Sequence, residues 1–143
     1  MSYVPSGAKW FVAQLILEIE VEGDNRNVLH KNLVLIEATS AEEAYEKSLQ
    51  LGKDNEISYE NPNSKAVRMK FRGIGQLDVV GNELKHGTEI LFEEHIAVPE
   101  DKILQWVPSK TLLSVFRPIE PSPGPDYASQ EIMEEVVQVL KEQ

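Results

Sequence analysis

Residues 10–21 read WFVAQLILEIEV, a run rich in β-branched and aromatic residues, and such a run forms a long β-strand. Side chains alternate across a strand, so Phe11, Ala13, Leu15, Leu17, Ile19 and Val21 make one wholly apolar face that belongs to the main core. The other face changes along its length, from Trp10, Val12 and Ile16 to Glu18, Glu20 and Glu22. One end of a sheet built on this strand therefore needs cover on both sides.

Gly23, Asp24, Asn25 and Arg26 are turn formers, and a second strand from about Asn27 to Ala38 follows closely enough for a hairpin. With Asp24 and Asn25 at the tip, Val21 faces Val28, Glu18 faces Lys31 and Leu15 faces Val34, three compatible pairs. The same register puts Leu33 and Leu35 on the face of Trp10 and Ile16, an apolar patch of a kind seldom left in water. Ser40 followed by Glu43 matches a capping box that opens a helix to Leu51. Ala41, Ala44, Tyr45, Ser48 and Leu49 share one side of it, and Gly52 is its expected stop. Asp54 to Ser64 reads as a polar loop with a short extended piece around Ile57 to Tyr59.

A third strand starts near Ala66, meets a bulge or bend at Gly73 and Gly75, and resumes as QLDVV through Val80. A turn over 81–87 leads to a fourth strand, Thr88 to Ile96. Two hairpins flanking one helix give an α+β fold in the order ββαββ, an antiparallel sheet with C-terminal helical segments after it. One domain is expected over 1–116, with a short helix from Pro99 to Val107 and a further element over Lys110 to Phe116. The sequence RPIEPSPGPD makes 117–127 a proline-rich, extended linker. Over 128–143 Ser129 caps a final helix with the stripe Ile132, Met133, Val136, Val139 and Leu140.

The chain's 143 residues, 41% apolar and 27% charged, suit one globular domain. No cysteine is present, which removes disulfide, thiolate-metal and cysteine-nucleophile chemistry and suits a reducing cytoplasm. No run approaches a membrane span, and the first residues lack the features of a signal peptide. Fourteen Lys and Arg against 24 Asp and Glu give a net charge of −10, which repels nucleic acid and anionic membranes. The best basic cluster, Lys65, Arg68, Lys70 and Arg72, places its last three cations on one face of the third strand, with no aromatic residue interleaved for stacking on bases.

Chemistry is sparse. Glu93 and His95 share a strand face in EEH, two ligands with no visible third, so no metal is expected. No cofactor is expected either: the GIG of residues 73–75 lacks the lysine and following helix of a phosphate loop. No serine elbow or Ser-x-x-Lys pairing appears, and no catalytic residue is assigned. Asp78 stands out because Leu77, Val79 and Val80 surround it, and Trp10 and Trp106 could line a pocket.

In order and spacing, WFVAQLILEIEV, TSAEEAYEKS, FRGIGQLDVV and GTEI resemble the bacterial domain-of-unknown-function family numbered 4288, over roughly Trp10 to Ile96. The resemblance implies a small bacterial domain and supplies no catalytic residue, cofactor or partner. The residues themselves favour a non-enzymatic protein-interaction or regulatory module, a homodimer with an acidic surface that could also meet a basic protein. Its alternative is a small-molecule-binding protein or enzyme with a pocket between the bent third strand and the C-terminal elements. Either way the interface or pocket residues are Trp10, Ile16, Leu33, Leu35, Asp78 and Trp106, with Ile132, Val136 and Leu140 from the tail.

Overall fold

A computed structural model describes residues 4–81 and 83–129. The long strand expected at the start is β1 (Trp10–Val21), and it lies inside the sheet rather than at its rim. It pairs antiparallel with β2 (Val28–Glu37) on one side and with β4 (Ala66–Gly81) on the other, and β3 (Ile57–Glu60) pairs with the start of β4. The order is therefore β2-β1-β4-β3, a four-stranded antiparallel sheet with α1 (Ala41–Asp54) following β2 in the chain. The fold is α+β.

The first hairpin forms in a register two residues from the expected one. Val28 faces Ile19 rather than Val21, Leu29 rather than Lys31 faces Glu18, and Val34 faces Ala13 rather than Leu15. The cause is the turn. Gly23 takes a φ of 83°, Asp24 N–H donates to Val21 O at 3.0 Å, and the Asp24 carboxylate receives both the Arg26 backbone N–H and its guanidinium at 2.8–3.0 Å. This clasp lengthens the connection, and Glu20 and Val21 pair with β4 alone. A slip of two leaves every side chain on its expected face, because strand faces repeat every two residues.

The second hairpin is made of different pieces. β4 runs from Ala66 as expected, but its partner is the short β3 that precedes it, while Thr88 to Ile96 forms no strand. Three register shifts against β1 bend β4, at Arg72, Gly75 and Val80, and Gly73 and Gly81 adopt φ values of 139° and 127°. With β3 on its first residues and bulges along the rest, β4 offers no straight ladder to a returning strand.

Helix α1 begins as its sequence dictates: Glu43 N–H donates to Ser40 Oγ at 3.1 Å, while Thr39 Oγ donates to the Glu43 carboxylate at 2.8 Å. Its seam is narrower than the expected face. Only Ala44, Ser48 and Gly52 are buried, while Ala41 and Tyr45 are exposed, because small residues four apart let the helix backbone lie close on the sheet. Gly52 does not stop the helix. A methyl built there would overlap the Phe71 ring, so this glycine permits a close approach, and the helix continues to an Asn55 cap.

Phe11, Ala13, Leu15, Ile36, Ala38 and Ala44 make the larger core cluster, with Phe71, Ile74, Leu77 and Val79 against it. A fourteen-residue helix is about 21 Å long while a twelve-residue strand spans about 40 Å, so α1 covers only part of β1. The remaining core, Ile19, Val21 and Val67, is covered from the far end of the described chain, where Tyr127 joins Tyr59, Met69 and Val28. Asn61 fastens this return: its side-chain amide donates to Asp126 O at 3.0 Å, and Tyr59 O–H donates to Tyr127 O. Pro125 is buried and the Tyr127 ring meets His30 edge-on at 5.4 Å. The proline-rich segment is irregular, and its end is docked on the sheet.

Between β4 and that anchor lie α2 (Glu100–Trp106) and two 3-10 turns, Lys110–Leu112 and Ser114–Phe116. None of the three buries a residue. The helix expected over 128–143 lies outside the described residues beyond Ser129.

Candidate protein interface

The core side of the sheet is closed by α1 and the Tyr127 return; the other side is closed around Val12 and Asp78 Oδ2 and open along β2. Its side chains follow from the pairing. Leu35, Val12 and Asp78 form one row, then Leu33, Gln14 and Gln76, then Lys31, Ile16 and Gly73, then Leu29, Glu18 and Lys70. Val12 is buried, and the β2 side of these rows is not: Leu29, Leu33 and Leu35 are 48%, 53% and 45% exposed. β2 is also an edge strand, with nothing hydrogen-bonded along its outer side within the sheet.

At the hairpin end the charges cancel locally. Arg72 donates to Glu18 at 2.9 Å and Lys70 to Glu20 at 2.9 Å, so the cations of β4 neutralise the carboxylates of β1. The Asn27 amide at 2.7 Å, with Arg72, holds the Glu18 carboxyl below its usual value against the opposing effect of desolvation. The Arg26 side chain and backbone N–H hold Asp24 down to about 2. An open cleft of about 660 Å³ lies here, lined by Glu18, Glu20, Glu22, Asp24, Arg26 and Arg68 among others. Asp24, Glu20 and Glu18 are paired here with Arg26, Lys70 and Arg72, and Glu22 accepts from the Ala66 backbone N–H, which is the arrangement of a solvated, largely ion-paired strand end.

Ile16, Leu33 and Leu35 lie on this one open face as the alternation requires, and Trp10 lies beside them, partly exposed, with the Lys9 ammonium 5.9 Å from its ring centre. Leu29 completes the patch. The sequence reading passed over it, although the alternation Leu29, Lys31, Leu33, Leu35 was the signal. Asp78 is opposite Val12, and its Oδ2 is buried without a hydrogen-bond partner among the described residues. Trp106 is on α2, half exposed, with the His95 ring 5.0 Å away. Two further clefts, of about 420 and 310 Å³, are lined by residues 114–120 and by the β2–α1 groove; like the first, neither is lined by Trp10, Asp78 or Trp106. Ile132, Val136 and Leu140 lie outside the described residues.

His95 Nε2 and Glu93 Oε2 are 3.2 Å apart in an irregular segment, not on a strand. Among the described residues no group of three His, Asp or Glu side chains is placed to hold a metal ion, and no helix is long and apolar enough to cross a membrane.

A curled antiparallel sheet with one helix on its core side and exposed leucines along β2 on the other defines a small α+β domain. Residues 10–92 match the family model for a domain of unknown function (DUF4288), and the chain belongs to that family. No curated protein and no solved structure matches it.

Proposed function

We propose that this chain is a non-enzymatic protein-interaction module of the cytoplasm, and that it docks through the open face of its sheet. The observation that carries the reading is the row Leu29, Leu33 and Leu35, half exposed on a fully formed strand. Leu33 and Leu35, with Ile16 beside them and Leu29 beyond Lys31, form an exposed apolar surface, and such surfaces mark contact sites. The paired charges at the hairpin end flank this surface as a polar rim. A net charge of −10 favours a basic protein over nucleic acid as any hetero-partner. The test compares a fluorophore-labelled full chain with its Leu33→Glu variant by sedimentation velocity, in buffer and in cell lysate. The parent should sediment as a complex and the variant should not; a parent that sediments as a free chain in both media would refute the reading.

One observation favours small-molecule binding instead, the unpartnered Asp78 Oδ2 beside Val12. A ligand whose affinity is lost in Asp78→Asn and reduced in Trp10→Ala, with the fold unchanged, would establish it.

A further inference from the structure

We propose that the occupant of the open sheet face is a second copy of this chain, which lays its C-terminal arm, residues 88–119, across that face and receives the same arm in return. The inference rests on the interaction-module reading and adds the identity of the partner.

The arm is as unsatisfied as the face. Phe92, Ile96, Leu104, Val107, Leu112 and Val115 are between 59% and 82% exposed. α2 buries no residue, and the two 3-10 turns pack chiefly on each other. A helix of seven residues has little stability of its own, so its apolar side chains need a surface to form on. The β2 side of the face and the arm are uncovered at the same time in one chain.

Area points to a copy of the same chain. These six residues and the three leucines of β2, at roughly 100 Å² each, present on the order of 900 Å² of apolar surface per chain, divided between the face and the arm. Reciprocal exchange would bury about twice that, the size of a stable interface. Residues 83–99, between β4 and α2, span up to about 55 Å when extended, enough to cross to a neighbour. Because each copy gives one arm and receives one, the contact closes on a two-fold axis and stops at a dimer.

The absence of cysteine permits a clean test on the full chain. Leu33 and Leu104 are exposed, so replacing either leaves the core intact. Leu33→Glu and Leu104→Glu should each weaken self-association by at least ~30-fold. Mixing the two should restore part of it, since one of the two reciprocal contacts then remains whole. Leu33→Cys mixed with Leu104→Cys should give a disulfide-linked heterodimer under mild oxidation. The inference is overturned if Leu104→Glu associates like the parent, if mixing restores nothing and the cysteine pair does not link, or if the purified parent is a monomer. A parent that is monomeric in buffer but complexed in lysate overturns only the second copy; a monomer in both removes the interaction reading as well.

Discussion

Replacing Asn61 by Ala tests how the chain's return strap is held. The Asn61 side chain is 5% exposed and makes three hydrogen bonds: its Oδ1 accepts from the Asn63 and Lys65 backbone N–H groups at 3.0 and 2.9 Å, and its Nδ2 donates to Asp126 O at 3.0 Å. The first two hold a tight turn in which Ser64 adopts a φ of 61°; the third holds the strap. Each bond contributes about 1 kcal/mol net, and a donor left unsatisfied costs about 1–3 kcal/mol where water cannot reach it. Asn63 and Lys65 are exposed, so water replaces much of what they lose, and the expected loss is about 2–3 kcal/mol. At a urea slope of about 1.5–2 kcal/mol/M the midpoint should fall by ~1–2 M. Asn61→Asp keeps both acceptor bonds but sets a carboxylate oxygen against the Asp126 carbonyl, so it should also lower the midpoint although the turn at Ser64 keeps its bonds. An Asn61→Ala protein with the parent's urea midpoint would refute this account of the strap.

Gly52→Ala should destabilise by up to about 2 kcal/mol, because overpacking against Phe71 costs ~1–3 kcal/mol while helix propensity returns ~1 kcal/mol; urea melts would show it. Asp24 has a folded pKa of about 2, below the ~3.9 of an unfolded aspartate. Its stabilising effect is therefore complete above about pH 4 and lost as pH falls through about 2, so the stability difference between the parent and Asp24→Asn should shrink over that window. Urea midpoints taken across the acid range check it, and a constant difference would contradict the clasp.

Much of the sheet was legible because its signals are local and periodic. The alternation in residues 10–21 fixes which side chains face the core, and it survives a two-residue slip in the hairpin. The slip itself came from the Asp24–Arg26 clasp, a side-chain interaction that turn composition does not specify. Thr88 to Ile96 carries an apolar alternation like a strand's but pairs with nothing in the sheet, and pairing is a long-range property that no window of sequence contains. The role of Gly52 was hidden for the same reason: a glycine at a helix end and one under an aromatic ring look alike until Phe71 is placed. At the open face Leu33 and Leu35 were readable from parity alone. The strap was not, because Asn61 and Asp126 are distant in sequence and neither is apolar.

Sedimentation equilibrium of the purified full chain weighs the claim that its open face and its arm are shared with a second copy. The expected mass is twice 16.1 kDa, falling toward 16.1 kDa in the Leu33→Glu variant. A mass of 16.1 kDa throughout the micromolar range, the same for parent and variant, would contradict it.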